Sequence, residues 1–239
     1  MRRVALSLVF VAAALAAAAA EPPRRAATLA EAETAQVQLV TIRRTDGVAV
    51  PRGSAFFVDA DGRLLTCAHV LDHMPKDEIH RLRLADGRER RFAVVKVDRE
   101  VDVAVLISDP PPHFLALDVR PQPEIGQVVR LGGLAARPTG ASAASPFRPA
   151  TVVALERRWA TGARRTVGSR RRIVSIKVDQ VADPGQSGGP LLAEGSLAVV
   201  GVLRSNLETA TGGLGGTRVA GFGAAIPLLY VRPLLEPVD

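Results

Sequence analysis

The sequence predicts an all-β fold of two six-stranded antiparallel β-barrels closed by a C-terminal helix. Three observations predict it. Short apolar, β-branched runs recur along the chain, each bounded by a turn signal, which is the pattern of sandwiches and barrels. A proline-rich stretch, Asp109-Pro110-Pro111-Pro112 through Pro121-Gln122-Pro123, cannot be a strand interior and divides the runs into two sets. Apolar residues make up 47% of the chain and aromatics only 4%, so the core is built mainly from Val, Leu, Ile and Ala.

Residues 1–20 pair Arg2 and Arg3 with a continuous alanine-rich apolar stretch that ends before Glu21-Pro22-Pro23. This is the profile of a secretory signal peptide cut near Ala20, and it predicts a periplasmic or secreted protein. The competing reading is an uncleaved anchor, for which the run is barely long enough, since a spanning helix needs about 20 apolar residues. No cysteine follows the stretch, so a lipid anchor is not expected. Roughly 215 residues remain after cleavage, enough for one two-barrel unit. Residues 21–36 are an N-terminal arm.

The first barrel, residues 37–108, takes its strands from Val37 to Arg44, Gly53 to Val58, Arg63 to Thr66, Ile79 to Leu84, Arg91 to Val97 and Asp102 to Ile107. Asp46-Gly47, Asp61-Gly62 and Asp86-Gly87 are the hairpin turns. Residues 109–125 are the linker. The second barrel and its helix, residues 126–239, draw on Val128 to Leu131, Ala150 to Leu155, Ile173 to Val178, Leu191 to Ala193, Leu197 to Leu203 and Arg218 to Ala225. Pro227 suits the first turn of a closing helix that runs to about Leu235.

Function is most legible in Asp183-Pro184-Gly185-Gln186-Ser187-Gly188-Gly189-Pro190. Three glycines around one serine permit a tight turn with backbone N–H groups aimed into a cleft, which is how an oxyanion hole is made. Ser187 is the candidate nucleophile; an ordinary surface turn is the plain alternative. His69 ends the apolar run Leu64 to Ala68 and is the natural general base. Asp102 opens an otherwise apolar strand, where a carboxylate needs a partner. Alone, His69 would read as a core histidine and Asp102 as a strand-end cap. Together, in the order His, Asp, Ser, they make a Ser-His-Asp triad.

These segments resemble trypsin-like serine proteases, and specifically the peptidase domain of the bacterial HtrA/Deg family. Gly53 to Val58, Leu65 to Val70, Asp102 to Leu106, Pro184 to Leu191 and Gly221 to Pro227 all carry the likeness. The resemblance implies His69, Asp102 and Ser187 as triad and the backbone N–H groups of Gly185 and Ser187 as oxyanion donors. Asp98 is the weaker acid, one strand earlier and without the apolar run behind it. The family often carries PDZ modules, whereas this chain stops at Asp239, so regulation by such a module in cis is not expected. Gln186 stands where HtrA members have asparagine and digestive enzymes an aspartate that pairs with a new N-terminus. That zymogen switch is therefore not expected either.

By the same resemblance Val181, six residues before the serine, lies at the base of the specificity pocket, and Val202-Leu203-Arg204-Ser205 lines it and pairs with substrate as an added strand. Val181 is not an acid, so cleavage after small or medium apolar residues is expected. Arg204 has two settings: solvent-facing, or turned into the pocket to favour an acidic residue. Asp183 is near enough in sequence to pair with it.

Arg157, Arg158, Arg164, Arg165, Arg170, Arg171 and Arg172 form a basic hairpin or loop without an acid, with Trp159 inside it. The formal charge of +7 falls to about +5 without Arg2 and Arg3. The cluster is either a solvated loop or a dock for an anionic surface or acidic partner. Nucleic acid is not an expected partner, since no interleaved aromatic platform is present. The expected partner is a polypeptide substrate, unfolded protein included; no oligomeric state is implied. No cofactor and no metal are expected: His73 follows His69 at helical spacing, but the glutamate of a zincin motif is missing, and His80 and His113 add no ligand pair. Cys67, the only cysteine, reads as a small buried hydrophobe. Two other functions stay open, a latent protease and a non-catalytic binding module on a protease scaffold.

Overall fold

In the computed structural model, residues 21–118, 123–136, 146–159, 172–204 and 223–236 are described. The proposed leader at 1–20, residues 160–171 of the arginine-rich segment and Ser205 lie outside them.

The N-terminal arm is ordered by two local devices. Strand β1 (Arg24–Arg25) leads to helix α1 (Leu29–Thr34), whose capping box is complete: Thr28 accepts from the Glu31 N–H, and the Glu31 carboxylate reaches back to the Thr28 N–H. The Ala27 N–H, above all, holds the Glu31 carboxyl below its ordinary pKa, with Arg24 assisting. Ala32 and Ala35 bury themselves against the first barrel.

Strands β2 (Gln36–Ile42), β3 (Ala49–Phe57), β4 (Arg63–Thr66), β5 (Ile79–Leu84), β6 (Glu89–Arg90), β7 (Ala93–Asp98) and β8 (Val103–Ile107) form one sheet in the order β6-β5-β2-β3-β4-β8-β7. The predicted Asp-Gly turns are present, with Gly47, Gly62 and Gly87 at φ of 70°, 88° and 83°. Strand β3 starts at Ala49, ahead of the Gly53 start expected from the sequence. A register shift opposite Leu39 and Val40 places Pro51 at an irregularity, where the missing N–H is tolerated. Between β4 and β5 lies a short helix, α2 (Ala68–Asp72), which strand patterning could not show.

The proline-rich crossover is more structured than its composition implies. It contains β9 (His113–Phe114), paired in parallel with β1, so the arm and the crossover brace each other. Leu117 then bridges to Val199 of the second half.

Strands β10 (Val128–Leu131), β11 (Arg148–Trp159), β12 (Arg172–Val178), β13 (Pro190–Ala193), β14 (Val199–Arg204) and β15 (Gly223–Pro227) close into a six-stranded barrel in the order β10-β11-β12-β15-β14-β13. Among the described residues, its buried cluster, including Val129, Leu131, Val152, Ile176, Leu191 and Leu203, contains no aromatic residue, in keeping with the composition. Strand β11 runs past Leu155 to Trp159 and pairs with β12 up to Arg172, so Arg157 and Arg158 stand in the hairpin wall. With a closed barrel beside a curved sheet, the architecture is the two-barrel, all-β fold expected.

The closing segment is a 3₁₀ turn, η1 (Leu228–Tyr230), followed by a one-turn helix, α3 (Arg232–Leu235). It returns to the first barrel: Arg63 Nη1 donates to the Leu235 carbonyl at 2.8 Å and Lys96 Nζ to the Glu236 carbonyl at 2.8 Å. Leu228, Tyr230 and Val231 join the core of the first half, and the Tyr230 hydroxyl accepts the Val174 N–H from the second.

Candidate active site

His69 owes its position to α2. The chain leaves β4 at Thr66, passes Cys67 in extended geometry and turns into the helix, so the imidazole stands in its first turn rather than on the strand. Asp102 holds this turn from three sides. Its Oδ1 accepts the His69 backbone N–H at 2.8 Å, its carbonyl accepts the Ala68 N–H at 3.2 Å, and its Oδ2 lies 2.8 Å from His69 Nδ1. With Nδ1 donating to the carboxylate, Nε2 is the ring's acceptor. Asp102 has φ 68°, a left-handed conformation that Asp tolerates better than most residues and that clusters at functional sites. Asp98 is used otherwise, with Oδ1 accepting the Glu100 and Val101 N–H groups.

Ser187 is buried on the loop between β12 and β13, and that loop is docked on both barrels. The Ser187 carbonyl accepts the Ser54 N–H of β3 at 2.7 Å, and the Gly188 N–H donates to the Leu203 carbonyl of β14 at 2.8 Å. Gly188 Cα packs so closely on Ser54, Thr66 and Cys67 that no side chain fits, which sets the serine beside the segment carrying His69. Gly185 has φ 97°, and its N–H has no hydrogen-bond partner among the described residues. The serine loop thus lies against Ser54, Thr66 and Cys67 of the first half, the segment that leads into His69.

Three residues that the sequence reading did not assign hold this loop. Ser54 Oγ donates to the Gly185 carbonyl at 2.7 Å and accepts the Leu134 N–H at 2.7 Å. Gln186 is fully buried: its Oε1 accepts the Asp183 N–H at 2.7 Å and Arg148 Nη2 at 3.0 Å, while its Nε2 donates to the Gly133 and Gly132 carbonyls at 3.1 and 3.3 Å. Arg148 also donates to the Val181 carbonyl at 2.8 Å. The neutral amide therefore ties the serine loop to Arg148 and to the Gly132–Gly133 backbone. Gln186→Ala leaves several buried polar groups unpaired and is expected to destabilise the protein by about 2–4 kcal/mol in urea unfolding. A loss below about 0.5 kcal/mol would show that the amide does not hold the loop.

Leu203 points into the barrel core, and both its N–H and its carbonyl are engaged by the serine loop. Asp183 lies 3.6 Å from Arg148 and does not pair with Arg204. Arg204 does not face solvent: its side chain is largely buried and its Nε lies 3.0 Å from Asp102 Oδ2. Val181 is half-buried at the loop's start, and Ser205 lies outside the described residues.

Cys67 is buried, and its thiol donates to the Leu203 carbonyl at 3.1 Å. Cys67, His69 and Asp102 bring one ligand-type atom each within 4.8 Å of one another, the one such trio among the described residues. The Arg204 guanidinium on the same carboxylate opposes a second cation there.

A sequence profile of the trypsin-like peptidase domain matches residues 53–202. The chain is 29% identical over 195 residues to the mitochondrial serine protease HTRA2 of Drosophila erecta; the match covers 79% of this chain but only 40% of that protein's length. Among solved structures, the HtrA-type protease AlgW with a tripeptide superposes at a TM-score of 0.62 with 23% identity, covering 87% of this chain and 60% of that one. The active form of the Rv3671c protease from M. tuberculosis superposes at 0.60 with 22% identity, covering 88% and 86%. The profile, which spans the segments of His69, Asp102 and Ser187 alike, settles the family: the chain belongs to the trypsin-like peptidase domains, which are serine-type endopeptidases.

Proposed function

We propose that this chain hydrolyses peptide bonds through an acyl-enzyme on Ser187. Ser187 Oγ attacks the scissile carbonyl while His69 Nε2 takes its proton, and Asp102 stabilises the imidazolium through Nδ1. The backbone N–H groups of Gly185 and Ser187 receive the oxyanion. The imidazolium then protonates the leaving amine, and water, activated by the same imidazole, releases the acyl group. The observation that carries this reading is the double grip of Asp102 on His69, through backbone and ring, at 2.8 Å each.

Val181 at the pocket base supports cleavage after small or medium apolar residues, and the engagement of Arg204 by Asp102 argues against selection of acidic ones. The apolar segment 1–20 supports export, and residues 109–125 are the proposed division between barrels that act as one unit. The arginines at the outer end of the β11–β12 hairpin are a proposed dock for an anionic surface.

The test is fluorophosphonate labelling of the mature protein and of Ser187→Ala, with and without an unfolded polypeptide. Labelling that the substitution abolishes is expected. Labelling only with polypeptide present would identify a latent enzyme, and none from a folded protein would return the chain to the binding-module reading.

A further inference from the structure

We propose that Ser54, on β3 of the first barrel, is a positioning residue of the reaction, which holds the oxyanion hole in shape before substrate arrives by gripping both residues whose N–H groups form it. The inference rests on the serine-protease reading above. The Ser54 N–H donates to the Ser187 carbonyl at 2.7 Å, and Ser54 Oγ donates to the Gly185 carbonyl at 2.7 Å. Ser54 is itself fully buried, and its carbonyl is fixed by Thr66 Oγ1 at 2.7 Å.

The need for such a grip follows from glycine. Gly185, at φ 97°, has no side chain to bias the peptides on either side of it, so both planes can turn at little local cost. A trans peptide points its carbonyl and its N–H to opposite sides, so whatever holds the Pro184 carbonyl aims the Gly185 N–H the other way. The Ala136 N–H holds that carbonyl at 2.8 Å. In the next peptide the Gly185 carbonyl is held by Ser54, and the Gln186 N–H donates to the Asp183 carbonyl at 3.0 Å. Of the four polar groups in these two peptides, three are engaged; the Gly185 N–H alone has no hydrogen-bond partner among the described residues.

Ser54 is the one side chain in this bracing. Its hydroxyl also accepts the Leu134 N–H at 2.7 Å, two residues before Ala136, so a single oxygen ties both the Gly185 peptide and the segment that braces it to the first barrel. Without that oxygen, the Gly185 carbonyl and the Leu134 N–H both lose their partner in a partly buried site, and the peptide is free to turn. Substrate binding draws on the rest of the cleft, whereas the oxyanion forms only in the transition state, so the loss falls on the chemical step.

The experiment compares the wild type, Ser54→Ala and Ser54→Cys by steady-state cleavage of a fluorogenic peptide amide with valine before the scissile bond, and by NMR of the Gly185 amide. Pro184-Gly185 is the only Pro-Gly pair in the chain, so carbonyl-labelled proline with ¹⁵N-glycine isolates that one signal. Ser54→Ala is expected to lower kcat by about 10- to 100-fold with KM changed by less than about threefold, and to move or broaden the Gly185 signal. Ser54→Cys, of similar size and with a weak donor and acceptor in the thiol, is expected to regain part of kcat, and it carries the same two readouts should Ser54→Ala fail to fold. A kcat within about twofold of wild type in folded Ser54→Ala overturns the inference, as does a raised KM at unchanged kcat, which would put Ser54 in substrate binding. An unmoved Gly185 signal overturns it even if kcat falls, and so does wild-type fluorophosphonate labelling that requires added polypeptide, since the hole would then not be formed in advance. A moved Gly185 signal in Ser54→Ala, with a wild type that neither labels nor cleaves, supports the positioning and overturns only the catalytic reading.

Discussion

Asp102→Asn is expected to slow fluorophosphonate labelling and peptide hydrolysis by about 10⁴-fold while the fold survives. Everything facing the Asp102 carboxylate is a donor or a cation: the His69 N–H and Nδ1 on one side and Arg204 on the other. An amide offers one acceptor oxygen and places an NH₂ where the second was. If the NH₂ faces Nδ1, the ring must carry its proton on Nε2 and cannot take one from Ser187. If the oxygen turns to Nδ1, the NH₂ confronts the His69 N–H or the guanidinium. Labelling kinetics and circular dichroism of the purified variant would decide the matter. A loss under about tenfold would mean that this carboxylate is not what orients the base.

Gly188→Ala is expected to be the most damaging single change to stability, above about 4 kcal/mol, a large part of a typical domain's total. Two effects add. Gly188 has φ 86°, where a side chain is strained. A Cβ there would also collide with the Ser54 carbonyl and Thr66 Oγ1, which hydrogen-bond each other at 2.7 Å, and would meet the Cys67 N at 3.1 Å. Those atoms belong to β3 and β4 at their junction with α2 and have nowhere to move. Gly87 is the control: its φ is 83°, but no heavy atom lies within 4 Å of an added Cβ. Gly87→Ala should therefore lose only the backbone term, on the order of 1 kcal/mol. Urea unfolding of both variants makes the comparison. Equal losses would show that the serine loop is not seated on the first barrel.

The difference between what was legible and what was not follows from distance along the chain. Strands Arg63–Thr66, Ile79–Leu84 and Val128–Leu131 were bounded correctly because local turn residues and apolar runs bound them. Helix α2 was missed because five residues are too few to show a helical period. Strand β9 was missed because prolines surround it and its partner lies in the arm. Gln186 was noticed for the aspartate it replaces, but its partners Arg148, Gly132 and Gly133 lie far away in sequence and carry no motif.

By itself the sequence determined the two sets of strands, the aliphatic core and the three chemical residue types in their order, because turn propensity, hydrophobic period and reactive side chains are properties of short segments. Only the tertiary structure decided which charges meet. It turned Arg204 onto Asp102, gave Asp183 to Arg148 and drew Leu203 into the core. Ion pairs across barrels depend on how two curved sheets abut, and no local pattern carries that.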